Sequence, residues 1–189
     1  MVVPIGNPEA VEKTAEILAG SGIAIFPCDT IYGISGIVPH TEERIRVLKG
    51  RGETKPFIRL YLSIADVENL TGYRLDKRIT RYWPGPLTLI VPDKTGKKIG
   101  VRVPGDRFTS LVLEQLGVPI YSTSVNRSDE PPINNINTII ERFESSVDII
   151  VDGGNFTKKK PSTIIDTTTD PYTLLRQGDL KVDPGLFKQ

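Results

Sequence analysis

Three cations fall within seven residues at Lys49-Gly50-Arg51-Gly52-Glu53-Thr54-Lys55. Two glycines between them leave the backbone free to adapt. Such a stretch is either a solvated basic loop or a cradle for a polyanion such as a nucleotide triphosphate, and its spacing alone leaves both open. A second polar group closes an apolar run at Tyr121-Ser122-Thr123-Ser124-Val125-Asn126. At the two-residue period of a strand, Ser122, Ser124 and Asn126 share one face, and strand ends are where α/β proteins tend to bind ligands. A third candidate is Arg102, alone between Val101 and Val103. Alternation points it away from those valines, toward solvent or toward a cavity wall.

Other reactive residues make weaker cases. There is no Walker A sequence and no G-x-G-x-x-G, so the standard phosphate loops are absent. Lys94-Thr95-Gly96-Lys97-Lys98 reads as a surface hairpin turn. His40 is the only histidine and has no positioned partner in view. Cys28 lacks an adjacent base to activate it as a nucleophile. Asp29 could serve a metal, but no second acid stands at ligand spacing. Lys158-Lys159-Lys160 reads as a solvated loop or, alternatively, an RNA contact. Trp83-Pro84-Gly85-Pro86-Leu87-Thr88 reads as a rigid corner packed by Trp83.

The elements that must position these residues follow from periodicity and punctuation. Asn7-Pro8-Glu9 predicts a helix start, with Val11, Ala15 and Leu18 on one face. Ile23 to Phe26 is a buried strand, and Cys28 to Gly33 a turn. Thr41-Glu42-Glu43 opens a helix that ends at Gly50. Phe57 to Leu62 is a strand. Ser63 and Asp66 have capping-box spacing, and a short helix spans Asp76 to Trp83. Leu87–Val91 and Ile99–Val103 form a hairpin. A helix runs from Phe108 to Gly117, a strand from Pro119 to Ser124, and a helix capped by Asn137 extends to about Ser145. Val147–Val151, Thr163–Asp166 and Thr173–Leu175 are the remaining strands. Helices and strands mix without strict alternation, so the expected class is α/β with α+β character: one large mixed sheet flanked by helices.

Composition bounds the rest. The chain has 189 residues, 38% of them hydrophobic, enough for one substantial core. Lys and Arg number 24 against 23 Asp and Glu, which gives no global excess of cations for coating nucleic acid. One cysteine excludes an intramolecular disulfide and suggests a reducing compartment; with one histidine it makes a structural zinc site untenable. No signal peptide is read at the N-terminus, and no apolar run approaches the ~18 residues of a membrane span. A cytoplasmic single domain over residues 1–189 is expected.

Assembled in order, several segments resemble the YrdC domain family of L-threonylcarbamoyladenylate synthases, in its short form. They are Phe26-Pro27-Cys28-Asp29-Thr30-Ile31-Tyr32-Gly33, Lys49-Gly50-Arg51, Lys55-Pro56-Phe57, Trp83 to Thr88, Val101 to Pro104, Ser122 to Asn126, Pro161 to Asp166 and Leu175-Arg176-Gln177-Gly178. The similarity covers about residues 23–178. Its hallmark is a Lys-x-Arg and Ser-x-Asn pair, here Lys49/Arg51 and Ser124/Asn126.

The resemblance implies a twisted mixed sheet around a concave basic cavity. It also implies a reaction in which L-threonine, bicarbonate and ATP give threonylcarbamoyl-AMP and pyrophosphate, feeding proteins that transfer the threonylcarbamoyl group to tRNA. By motif position it assigns ATP to Lys49, Arg51, Lys55, Ser124, Asn126 and Arg176, with Lys49 and Arg51 as the catalytic cations. Threonine falls to Thr30, Arg102, Ser122 and Ser162. Mg2+ is implied by the triphosphate, with no metal ligands assigned. Such chemistry needs positioning and charge neutralisation more than a nucleophile. The chain departs from the family pattern at Cys28, Gly52, Leu60, Asp129 and Gln177; Leu60 stands where many members have a histidine near threonine. No C-terminal extension domain is expected. Two other classes compete: a tRNA or double-stranded RNA binding module using the same cavity, and a regulatory domain that binds a nucleotide without turnover.

Overall fold

The computed structural model describes residues 1–50, 52, 56–157 and 159–187. Among these, ten strands join in one sheet: β1 (Val2–Pro4), β2 (Ala24–Pro27), β3 (Tyr32–Ile37), β4 (Ile58–Leu60), β5 (Leu87–Pro92), β6 (Lys98–Arg102), β7 (Ile120–Ser124), β8 (Ile149–Asp152), β9 (Thr163–Asp166) and β10 (Thr173–Arg176). Their order is β1-β8-β2-β3-β7-β4-β6-β5-β9-β10. Pairs β1–β8, β2–β8, β4–β6 and β5–β9 are parallel and the others antiparallel. The sheet is therefore mixed, as the lack of strict alternation implied. Six helices accompany it: α1 (Ala10–Ala19), α2 (Glu42–Lys49), α3 (Ile64–Thr71), α4 (Lys77–Thr80), α5 (Arg107–Leu116) and α6 (Ile136–Phe143).

Alternation along the strands divides the sheet between three cores. Ala24, Phe26, Leu60 and Ile120 pack with Leu18 of α1 and with Phe108, Val112 and Leu113 of α5. On the opposite face Ile25, Ile34 and Tyr121 meet Ile45 of α2 and Ile136, Ile139 and Phe143 of α6. In the other half of the sheet Leu87, Leu89, Val91, Val101 and Ile165 pack against Val67, Ile79, Trp83, Val182 and Leu186. The residues alternating with these, Thr88, Ile90, Gly100, Arg102 and Ile164, line a cavity. One half-face is thus built to be covered, and its reverse carries glycine, hydroxyls and a cation.

Several local expectations hold and others shift. The hairpin β5–β6 is present, its turn held by Asp93 Oδ1, which accepts from the amides of Thr95 and Lys97. Ser63 caps α3 by accepting from the Asp66 amide, but the Asp66 carboxylate accepts from the Ser63 hydroxyl and not from a backbone amide. The cap of α6 is Asn135, whose side chain accepts from the Thr138 amide, because Asn137 already lies inside the helix. Asn7 closes a turn on the Glu9 amide, and α1 begins at Ala10. The helix expected from Asp76 to Trp83 shortens to α4, capped by Asp76. The turn expected over Cys28–Gly33 ends sooner: Cys28 N–H donates to the Ile31 carbonyl, and Tyr32 already begins β3. β1 and most of β3 had no counterpart in the sequence reading.

Candidate functional site

The cavity measures about 250 Å³. Its floor comes from one face of the strands β3, β7, β4, β6, β5 and β9, which carry Gly33, Ser122, Ser124, Ile58, Gly100, Arg102, Thr88 and Ile164. The register explains the grouping: Gly33 pairs with Ser124, Ile58 with both Ser122 and Gly100, and Thr88 with Ile164. Small residues here make the hollow. A Cβ at Gly33 would stand 2.8 Å from Ser122 Oγ, closer than side chains pack, so glycine lets the hydroxyl sit where it does.

Of the residues chosen from sequence, Thr30, Arg102, Ser122, Ser124, Ser162 and Arg176 line this one cavity. Lys49 and Asn126 stand immediately behind its wall. Arg51 and Lys55 lie outside the described residues, as does Lys158.

Arg102 ends β6 with only 5% of its surface exposed, which settles the orientation that alternation left open: its face is the cavity. Its Nε donates to the Gly85 carbonyl at 3.1 Å, Nη1 donates to Thr30 Oγ1 at 3.1 Å, and Nη2 donates to Asp29 Oδ1. Asp29 is therefore an ion-pair partner. Among the described residues no group of three acidic, histidine or cysteine side chains could hold a metal ion. Sequence spacing could not show this pair, since its members stand 73 residues apart.

Lys49 closes α2 and is buried to 2% exposure. Gly50, in the left-handed conformation at φ 58°, turns the chain away behind it. The Lys49 ammonium donates to the carbonyls of Ser124 (2.6 Å) and Asn126 (2.9 Å) and to Asn126 Oδ1 (2.7 Å). That same oxygen accepts the Ser124 hydroxyl at 2.6 Å, while Asn126 Nδ2 donates to the Glu130 carbonyl. The Lys and Ser-x-Asn motifs thus form one network that shapes the end of β7.

The third group sits at the far edge. Arg176, at the end of β10, donates through Nε to the Ser162 carbonyl (2.9 Å) and through Nη2 to Ser162 Oγ (3.2 Å). Ser162 Oγ lies 2.8 Å from Thr88 Oγ1. Arg176 is exposed by surface area, yet partial desolvation of its guanidinium, and secondly the charge of Arg102, lower its affinity for its proton. Two guanidinium groups that feel each other across one cavity favour an anion between them. Thr88 is a cavity residue that the reading of Trp83–Thr88 as a structural corner passed over. Its signal was a lone hydroxyl alternating with leucines.

Cys28 also reaches the cavity wall, yet burial, then the charge of Asp106, raise its thiol to about 12. A thiol held protonated is no nucleophile at neutral pH. His40 is exposed and does not line the cavity.

The fold and the site together define a single mixed sheet with a cavity lined by hydroxyls and two guanidinium groups. The Sua5/YciO/YrdC family model, described as "Telomere recombination", matches residues 16–178. The chain belongs to this family. A curated relative from Pyrococcus abyssi, named threonylcarbamoyl-AMP synthase, is 30% identical over 97% of this chain and 59% of its own length. A Bacillus subtilis protein of the same name is 28% identical over 92% of this chain and 55% of its own length. The chain thus spans little more than half the length of these two relatives. A crystal structure of P. abyssi Sua5 complexed with L-threonine shares the fold, with a TM-score of 0.84 at 24% identity, covering 100% of this chain and 64% of that one.

Proposed function

We propose that the chain forms L-threonylcarbamoyl-AMP from L-threonine, bicarbonate and ATP, releasing pyrophosphate. The observation that carries this reading is the convergence of Arg102, Arg176 and the hydroxyls of Thr30, Ser122, Ser124 and Ser162 around one cavity. Family membership and the names of the two curated relatives point the same way.

The chemistry asks for that set. The threonine amine adds to CO2 released from bicarbonate and gives up a proton, leaving a carbamate. A carbamate oxygen then attacks the α-phosphorus and pyrophosphate departs. Anions must meet, so the protein's contribution is alignment and charge neutralisation. In this reading Arg102 holds the threonine carboxylate, with Thr30, Ser122 and Ser162 around the amino acid. Arg51, Lys55 and Arg176 meet the phosphates directly. Lys49 acts from behind, holding Ser124 and Asn126 in place for the nucleotide while its charge adds to the local field. At about 250 Å³ the cavity is below the ~300–1,000 Å³ of most small-molecule sites. It suits an amino acid and part of a nucleotide, with the remaining phosphates outside it. Its described wall offers hydroxyls and guanidiniums and no carboxylate, so Mg2+ would arrive on the triphosphate, held by phosphate and water.

The product would pass to proteins that transfer the threonylcarbamoyl group to tRNA, and we place the reaction in the cytoplasm. Among the described residues no helix is long and apolar enough to cross a membrane. A direct tRNA or double-stranded RNA contact would use cations spread over an extended face; the guanidiniums here sit within a hollow. The test is pyrophosphate release with ATP and Mg2+, with L-threonine and bicarbonate added or withheld. Release that needs both is expected. Release indifferent to either overturns the reading.

A further inference from the structure

We propose that Asp29 is a positioning residue that fixes the Arg102 guanidinium so that one N–H on each terminal nitrogen is left for a substrate α-carboxylate. This role rests on the function proposed above. A guanidinium carries five N–H donors, one on Nε and two on each Nη. In Arg102 the Nε donor goes to Gly85, one Nη1 donor to Thr30 and one Nη2 donor to Asp29. One N–H on each of Nη1 and Nη2 has no partner among the described residues, and Arg102 stands in the cavity wall. Two parallel donors from the terminal nitrogens are the geometry that grips both oxygens of a carboxylate.

Asp29 is itself anchored, as a positioning group must be. Its Oδ2 accepts from the Gly105 amide at 3.0 Å, and its own amide donates to Asp106 Oδ2 at 3.1 Å. Asp106 Oδ1 in turn caps α5 by accepting from the Thr109 amide. The loop at Asp29 and the loop at Gly105 are therefore stitched reciprocally, and the helix behind them holds the stitch. Arg102 and Asp29 side chains are 6% and 15% exposed, which limits competition from water for the pair. Asp29 is absent from the cavity lining; it acts through Arg102 and does not touch the substrate.

The consequence is selectivity for a free carboxylate, and it separates the two substrates. In Asp29→Asn the guanidinium loses its charged partner, and the single side-chain oxygen of Asn cannot replace the two oxygens that accept separately from Gly105 and from Arg102. Calorimetric titration of this variant should show L-threonine binding weakened at least about tenfold, ~1.4 kcal/mol, with ATP binding within about twofold of the unaltered protein. The preference for L-threonine over L-threoninamide should shrink in the variant. Unchanged L-threonine affinity, or equal losses for L-threonine and ATP, overturns the role. Should Asp29→Asn fail to fold, arginine side-chain NMR of the unaltered protein decides, with Arg102→Lys identifying the signal. Slow rotation of the Arg102 guanidinium before any amino acid is added is expected, and free rotation overturns the role. If the unaltered protein binds ATP but not L-threonine, the proposed function falls and this role with it. If it binds both and Asp29→Asn behaves identically, only the role falls.

Discussion

Lys49 and Arg102 are both cations buried beside the same cavity, at 2% and 5% exposure, yet they are used in opposite ways. The Lys49 ammonium reaches three oxygens of the Ser124–Asn126 segment, as many as an ammonium has protons. Arg102, which lines the cavity, leaves one N–H on each terminal nitrogen without a partner among the described residues. A basic residue in a binding site can therefore serve by what it ties together on the protein or by what it leaves untied. Positive charge alone does not separate these roles. The comparison also explains why the positions are not interchangeable: a compact ammonium suits convergent carbonyls, and a planar fork suits a carboxylate.

The sharpest way to break the contrast is Lys49→Met. It would remove that donor from the part-buried Ser124 carbonyl and from both Asn126 oxygens, of which Oδ1 keeps the Ser124 hydroxyl, at ~1–3 kcal/mol for each one left unsatisfied. The melting temperature should fall by about 10 °C, and pyrophosphate release should drop at least about a hundredfold because the end of β7 loses its shape. A normal melt followed by circular dichroism would assign Lys49 to the ligand side after all. Arg102→Lys should act differently. It keeps charge but not the fork, so the KM for L-threonine should rise about tenfold to a hundredfold while the KM for ATP holds; a rise in both would erase the distinction. Arg51→Ala should lower turnover by at least about tenfold, ~1.4 kcal/mol, and unchanged kinetics in the folded variant would remove Arg51 from the site.

Smaller effects refine the picture. Gly33→Ala puts a methyl 2.8 Å from Ser122 Oγ, and overpacking of this kind costs about 1–3 kcal/mol. A chemical denaturation curve should show that loss together with weaker L-threonine binding. Cys28 should resist iodoacetamide at pH 8 in the folded protein and react once unfolded, since its thiol is raised from 9.0 to about 12. The folded state holds that proton more tightly, so this group's contribution to stability is intact below pH 9 and is lost as pH rises toward 12. Rapid alkylation of folded protein would show that the wall beside Arg102 is open.

Much of the frame was legible because short-range physics decides it. The hairpin β5–β6 announces itself through alternating apolar residues and an Asp-anchored turn, and Ser63 marks its helix with a side chain that caps locally. β3 was illegible for the reason that makes it useful. Tyr32-Gly33-Ile34-Ser35-Gly36-Ile37 carries two glycines, which weaken strand propensity, but it lies between β2 and β7, where small residues let the cavity form. The site followed the same rule. Residue types and motif order pointed to Arg102, Ser122, Ser124, Ser162 and Arg176. The partners that define their roles, Asp29 for Arg102 and Asn126 for Lys49, lie 73 and 77 residues away along the chain. No local pattern carries such a pairing.

Those long stitches bear on the order in which the molecule assembles. Thr88 meets Ser162 across 74 residues, Lys49 meets Ser124 across 75, and Arg102 meets Thr30 across 72. Contacts this distant in sequence form slowly, because loop closure precedes any gain. No short fragment of the chain holds even half of the cavity, and a growing polypeptide cannot close that cavity until the segment around Ser162 has joined β5. Substrates that bridge these strands would then act mainly as a brake on unfolding, lengthening the life of the native state more than they hasten its arrival.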